Sequence, residues 1–158
     1  MSILLDVNFL HQVTPDALRR VAWEAAQREF LPQDTGKLDG ERVAVVVGFG
    51  ARQEGQKGRL LLEMDQELAE DLTESMNGGP LEEATELYLF AGEFLNMVGG
   101  NALTAINNHY RGLEYRMTPP AIFAGKGLEV LTPLVRSRAV WYRSKKGGAR
   151  FDVGFEGV

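Results

Sequence analysis

Cysteine is absent from the 158-residue chain, and histidine occurs only twice. The lack of cysteine excludes disulfides, thiolate metal sites and cysteine nucleophiles. His11 and His109 cannot complete a zinc site between them, and each is interpreted as a surface or capping residue. We therefore expect neither a metal site nor a cofactor in this chain.

Long apolar runs and an excess of positive charge are missing as well. No apolar run approaches the roughly 20 residues of a membrane-spanning helix, and MSILLDVNF lacks the basic segment and cleavage site of a secretory signal. The net charge of −5 argues against nucleic acid or an acidic membrane as a partner. The composition, with 44% hydrophobic and 25% charged residues, is that of an ordinary globular protein. We expect one cytoplasmic domain over residues 1–158.

A capping pattern predicts the first helix. Thr14-Pro15-Asp16 supplies a capping hydroxyl, a proline suited to the first helical position and an acid in the first turn. The helix is expected to run to about Phe30, and residues 3–13 could add a preceding turn or two. Residues 32–41 are expected to form a loop.

A β-branched run predicts the first hairpin. RVAVVVGFG (42–50) is typical of a buried strand, and GRLLLEM (58–64) is expected to pair with it across a glycine-bearing turn. Asp65 is then expected to cap an acidic helix over residues 66–76, which Asn77-Gly78-Gly79 would end.

The rest of the chain predicts one long helix followed by strands. The helix is expected over about 80–110, opened by Pro80. YRMT (115–118) is expected to begin a strand interrupted by prolines, AIFAG and LEVL to form short strands, and the last segment to form a hairpin turning at Lys146-Gly147-Gly148. The order α-β-β-α-α-β-β-β-β indicates an α+β fold, a mostly antiparallel sheet packed with helices.

The long helix has two predicted faces. At about 100° per residue, an apolar stripe centred on Ala91 continues in register through Gly99-Gly100. One unbroken helix is therefore expected, although each glycine costs about 1 kcal/mol relative to alanine. The stripe comprises Ala84, Leu87, Tyr88, Phe94, Leu95, Val98, Ala102, Ala105 and Ile106. The opposite face comprises Leu89, Glu93, Asn96, Gly100, Leu103, Thr104 and Asn107.

The outer face offers a carboxylate on Glu93 and a carboxamide one turn later on Asn96. Gly100 points away from the core, so its bare surface is expected to let another molecule approach the helix backbone closely. Gly92 and Gly99 lie on one flank, where close packing against a neighbouring element explains them better. Two solvated polar residues on a surface helix remain the simpler interpretation of a Glu-x-x-Asn pair.

The segment GEFLNMVGGNALTAINN (92–108) resembles the signature helix of the CheC/CheX family of chemotaxis phosphatases, in which Glu-x-x-Asn is followed by small residues and Asn-Ala. YRMTPPAIFAGKGLEV is similar to the strand, Thr-Pro-Pro and glycine-turn segment that follows this helix in the family. VGFGARQEGQKGRLLLEM resembles the first hairpin of the family. The resemblance is strong over about residues 75–132, fair over 40–74 and faint at both ends.

The resemblance implies hydrolysis of the aspartyl phosphate of a CheY-like response-regulator receiver. The receiver would carry the Mg²⁺, and this chain would need no cofactor of its own. Carried over by position, Glu93 would bind the active-site lysine of the receiver and Asn96 would orient the attacking water. The residues expected to border the docked receiver are Leu89, Gly100, Leu103 and Thr104.

The first helix departs from the pattern of the CheC branch, which has a second Glu-x-x-Asn pair there. This chain has Trp23-Glu24-Ala25-Ala26-Gln27, a Glu-x-x-Gln whose role is open, and a single site as in CheX is favoured. CheX-like proteins are typically homodimers joined through their sheets, so a homodimer is implied. Two alternatives to the phosphatase stay open: a CheX-like module that binds a receiver or signalling partner without turnover, and a structural homodimer with an idle motif.

Overall fold

The computed structural model describes residues 5–38, 40–51, 57–128, 130 and 136–156. These residues form an α+β fold, which confirms the predicted class. The elements, in chain order, are α1 (Val7–Ala26), β1 (Leu31–Gln33), β2 (Glu41–Gly50), β3 (Lys57–Asp65), α2 (Gln66–Asn77), α3 (Ala84–His109), β4 (Arg116–Met117), β5 (Ala121–Lys126), β6 (Arg136–Ser144) and β7 (Gly147–Phe155).

The strands form one sheet in the order β1-β6-β7-β3-β2-β4, and β5 also pairs with β2. Every pairing among the described strands is antiparallel. Because side chains alternate along a strand, one face of β2, β3 and β7 is apolar. Val45, Leu62 and Phe151 form a row across that face and belong to the same core as residues of all three helices. The helices therefore pack on this face, as predicted.

Helix α1 begins at Val7, about two turns before Pro15, so the preceding turns considered for residues 3–13 are present. Asp6 is the N-cap, and its carboxylate accepts a hydrogen bond from the Asn8 N–H at 2.9 Å. Leu10 is fully buried, so the apolar stripe starts before Pro15, which lies inside the helix. The Thr14 hydroxyl donates to the Leu10 carbonyl at 2.8 Å instead of capping a helix start. Thr14-Pro15-Asp16 was therefore wrong as a helix start.

The ends of the other helices also differ from the prediction. The long helix α3 begins at Ala84 and not at Pro80, and the Glu82 N–H donates to the Glu86 carboxylate at 2.8 Å ahead of its first turn. The Asp65 carboxylate does not cap α2, because it accepts a hydrogen bond from the Gly148 N–H at 2.8 Å on β7. Helix α2 ends, as predicted, where Gly78 adopts φ 79°, a left-handed conformation that glycine accepts without strain.

Three strand details depart from the sequence prediction. The expected loop over 32–41 contains Pro32 and Gln33 of β1, which pairs with β6 at the end of the sheet, and its last residue, Glu41, already belongs to β2. The C-terminal hairpin turns at Lys145-Lys146, because Ser144 pairs directly with Gly147 in β7. In the predicted LEVL strand, Leu128 and Val130 are not in a strand, and the other two residues lie outside the described ranges. The glycine-bearing turn of the first hairpin also lies outside them.

The edge of the sheet next to α3 is interrupted at Thr118-Pro119-Pro120, as predicted, and this separates β4 from β5. The Thr118 N–H donates to the Gly48 carbonyl at 2.8 Å, and the Thr118 hydroxyl accepts from the Gly48 N–H at 2.9 Å. A Cβ at position 48 would lie 2.9 Å from that hydroxyl, so glycine permits the double contact. Thr118 therefore anchors the interruption to β2 through both the N–H and the carbonyl of Gly48.

Candidate functional site

Helix α3 is continuous through Gly99 and Gly100, which confirms the prediction from periodicity. The stripe that buries the helix against the core contains Leu87, Ala91, Phe94, Leu95, Val98, Ala102 and Ile106. Tyr88, predicted in the same stripe, is 37% exposed, because it lies at the border of the stripe, about 60° from its centre. The face opposite to the stripe carries the candidate site.

The three glycines of α3 have different surroundings. A Cβ on Gly92 would lie 3.2 Å from Pro120 Cγ, and a Cβ on Gly99 would lie 2.5 Å from Met117 Sδ. Both glycines therefore let the edge segment of the sheet pack closely on the helix, as predicted. A Cβ on Gly100 would meet only Met117 Cε, at an ordinary 3.9 Å. Internal packing does not require glycine at position 100.

The Glu93 side chain is exposed and the Asn96 side chain is half-buried on this face. Neither forms a hydrogen bond or ion pair with another described residue. Their i, i+3 spacing on a helix brings the two Cβ atoms to about 5–6 Å of each other. The helix therefore presents an anionic acceptor beside a neutral group that both donates and accepts.

Two of the predicted docking residues lie as expected on the outer face. Leu89 is 72% exposed. Thr104 is exposed, and its hydroxyl donates to the Gly100 carbonyl at 2.9 Å. The expected exposure of Leu103 was wrong, because this side chain is only 6% exposed and belongs to the core. Leu103 lies one turn after Gly99, the glycine on which Met117 packs.

Two methionines extend the outer face, and the sequence reasoning did not include them. Met97 follows Asn96 directly and is 38% exposed; Met117, on β4, is 37% exposed and lies against Gly99. Met97 could have been found from its position beside the motif. Met117 could not, because its contact with α3 depends on how β4 pairs with β2.

Asn107 positions the chain that returns from α3 to Met117. Its carboxamide donates to the Tyr115 carbonyl at 3.1 Å and accepts from the Tyr115 N–H at 2.9 Å. Burial raises the pKa of the Tyr115 phenol to about 12, so this buried ring stays neutral. Asn107 is therefore a structural residue of the outer face.

Among the described residues, no three histidine, aspartate or glutamate side chains are grouped so that they could hold a metal ion. In the same part of the chain, no helix combines the length and the apolar character needed to cross a membrane.

A family model described as "Chemotaxis phosphatase CheX" matches residues 43–143. The chain belongs to this family. The matched range includes β2 from Val43 onward, all of β3 and α3, and the Thr-Pro-Pro interruption. A search of curated proteins found no match.

Solved structures share the fold over almost the whole chain. The chemotaxis protein CheX of Vibrio vulnificus aligns with a TM-score of 0.82 and 22% identity, covering 99% of this chain and 100% of that chain. A CheC-like superfamily protein of Shewanella sp. PV-4 aligns with a TM-score of 0.81 and 24% identity, covering 97% and 100%. The CheX–CheY–BeF3–Mg²⁺ complex of Borrelia burgdorferi aligns with a TM-score of 0.72 and 18% identity, covering 92% and 97%.

Proposed function

We propose that this chain dephosphorylates the phospho-aspartate of a CheY-like response-regulator receiver. The observation that carries the proposal is the outward pair Glu93 and Asn96 beside Gly100, on the helix that lies within the CheX family match. The solved complex of a CheX with CheY, BeF3 and Mg²⁺ supports a receiver as the partner class.

Asn96 is proposed to orient the attacking water. The phosphoryl group on a receiver already has its metal and a good leaving group, so a partner protein needs to supply little beyond a positioned water. A carboxamide can accept a hydrogen bond from the water and donate another at the same time. It also carries no charge that would repel the phosphoryl oxygens. The Asn96 side chain has no competing partner among the described residues, so it is available for this role.

Glu93 is proposed to anchor the receiver through an ion pair with its active-site lysine. An ion pair at a docking surface fixes orientation and selects the partner. Leu89, Met97, Met117 and Thr104 are proposed to surround the pair and contact the receiver. The reaction then needs no nucleophile, metal or cofactor from this chain; the Mg²⁺ belongs to the receiver.

A homodimer joined through the sheets, in the cytoplasm, is proposed as the working form. The family resemblance supports the dimer. Light scattering coupled to size exclusion tests it directly, because the mass of a dimer is twice the 17.5 kDa of the chain.

The phosphatase proposal is tested with phosphorylated receivers from the source genome. We expect the wild-type chain to accelerate loss of phosphate from one of them, and Asn96→Ala to reduce kcat by about 100-fold, as for a misplaced reacting group. Binding of the BeF3-treated receiver should be retained. Asn108→Ala, an exposed asparagine on the same helix, is the matched control.

Two outcomes would contradict the phosphatase proposal. Full activity in Asn96→Ala would remove Asn96 from the reaction. Tight binding of the wild-type chain to a phosphorylated receiver with unchanged phosphate loss would indicate the alternative, a receiver-binding module without turnover.

A further inference from the structure

An exposed tryptophan lies in the last turn of α1, apart from the residues proposed to contact the receiver. The Trp23 side chain is 59% exposed, and Leu31, the first residue of edge strand β1, is 48% exposed. Trp23 lines a depression of about 550 Å³ and also a second one of about 450 Å³. The indole therefore borders two hollows.

Core packing does not explain the tryptophan. The buried side of α1 is formed by small and aliphatic residues, among them Leu18, Val21, Ala22 and Ala26. Trp23 lies on the solvent side of α1, which ends at Ala26 and is followed by Gln27 in a left-handed conformation. Tryptophan and arginine are among the residue types most enriched at binding hot spots, so an exposed tryptophan points to a binding surface.

Positive side chains surround this tryptophan although the chain as a whole carries a net charge of −5. Arg19 and Arg20 line the first hollow, and Arg143 and Lys145 line the second. None of the four forms an ion pair within 4 Å with an acid in the described part of the chain. Their charge is available to a binding partner.

Arg28 lines both hollows but is already neutralised. It forms two hydrogen bonds with the Asp71 carboxylate, at 2.6 and 3.1 Å, and these bonds lower the pKa of Asp71. Two acids, Asp16 and Glu29, also line the hollows. Four available cations thus exceed two acids, which makes the surface locally positive.

We propose that the Trp23 surface, formed by Arg19, Arg20, Trp23, Leu31, Arg143 and Lys145, binds an acidic segment of a partner protein that carries one apolar anchor side chain. The cations select the acidic residues, and the exposed indole and leucine receive the anchor. Asp16 and Glu29, placed among the cations, favour a peptide over an anionic bilayer, because a bilayer would bring negative charge against both acids at once. The proposal is independent of the phosphatase reaction.

A random peptide-display library tests the proposal. The library is selected on the wild-type protein and counter-selected on a Trp23→Ser, Arg143→Glu double variant. We expect the enriched sequences to contain acids around one large apolar residue. The best peptide, labelled with a fluorophore, should bind the wild type with an affinity that falls as salt rises. Trp23→Ser should weaken it by about tenfold or more.

Matched variants distinguish this surface from the rest of the exposed apolar side chains. Phe123→Ser removes another exposed aromatic and should leave peptide binding unchanged, as should Asn96→Ala. Circular dichroism of each variant checks that it is folded. The proposal is overturned if wild type and double variant select the same sequences, or if the enriched sequences are not acidic. It is equally overturned if Trp23→Ser dissociates a homodimer, or if the surface binds phosphatidylglycerol vesicles and no peptide.

Discussion

Met117 Sδ lies 2.5 Å from the position that a Cβ on Gly99 would occupy. The thioether of an edge-strand residue thus lies directly against the backbone of α3. The double glycine at 99–100 therefore has two separate causes: Gly99 accommodates Met117, and Gly100 leaves the helix surface bare beside it.

Because Met117 packs on Gly99, the effect of Gly99→Ala on the free energy of unfolding should depend on whether residue 117 is methionine or alanine. In a Met117→Ala background, Gly99→Ala should raise the free energy of unfolding by about 1 kcal/mol, the helix-propensity difference between the residues. In the wild-type background the same substitution should give no gain, because the new methyl group displaces Met117. Urea unfolding of the four proteins measures this. Equal effects in both backgrounds would mean that Met117 does not require the glycine.

Gly100→Ala should change the stability of the fold and the affinity for a receiver in opposite directions. A Cβ there meets no atom closer than 3.9 Å, so we expect the free energy of unfolding to rise by up to about 1 kcal/mol. If a receiver approaches this part of the backbone, the added methyl group should weaken binding by about 1–3 kcal/mol. Urea unfolding and titration with BeF3-treated receiver measure the two quantities. Unchanged receiver affinity would show that Gly100 provides no clearance.

Glu93→Gln should act on binding and leave the chemical step nearly intact. Loss of the proposed ion pair should raise KM about tenfold or more and reduce the dependence of binding on salt, with little change in kcat. Steady-state kinetics at two salt concentrations test this. A fall in kcat with unchanged KM would place Glu93 in the chemistry instead.

Asn107→Ala should destabilise the fold although Asn107 lies on the outer face. It removes both hydrogen bonds to the Tyr115 backbone and leaves partly buried polar groups unpaired, at a cost of about 1–3 kcal/mol. Asn108→Ala, at the exposed neighbouring asparagine, should change stability by less than about 0.5 kcal/mol. Similar urea midpoints for the two variants would contradict the structural role of Asn107.

The ion pair of Arg28 and Asp71 predicts acid sensitivity. Its hydrogen bonds hold the pKa of Asp71 below the ordinary value, about 3.9 in an unfolded chain. The stabilisation is therefore present above that pH and is lost as the pH falls toward the lower pKa of the folded state. Asp71→Asn should lose about 2 kcal/mol at neutral pH and show a shallower fall in stability below about pH 4. Glu74→Gln, at an exposed residue on the same helix, is the control. If the stability of Asp71→Asn falls below pH 4 as steeply as that of the wild type, this ion pair is not the cause of the acid sensitivity.

Periodic signals in the sequence predicted the parts of the fold that burial enforces. The β-branched apolar run over residues 42–50 predicted β2, and the stripe through Gly99-Gly100 predicted an unbroken α3, because each pattern reports which side chains must leave water. The outward direction of Glu93 and Asn96 followed from the same phase.

Features decided by contacts between distant segments could not be predicted in this way. Thr14-Pro15 has the local chemistry of a helix start, but burial of Leu10 extends α1 toward the N-terminus, to residues before Thr14. Leu103 lies on the outer half of α3 by phase, but it is buried in the core. Asp65 was expected to cap α2 and instead binds the backbone of β7. In each case a tertiary contact outweighs a local preference.

The Thr118-Pro119-Pro120 interruption determines how a partner can approach the edge of the sheet beside α3. Pro119 and Pro120 have no N–H, and the N–H and the hydroxyl of Thr118 are both hydrogen-bonded to Gly48. Little backbone therefore remains there for an incoming strand to pair with. At the interruption, recognition of a partner must then depend on side chains. Under the proposed function, single substitutions on this surface would change which receiver binds while the backbone of this chain stays the same.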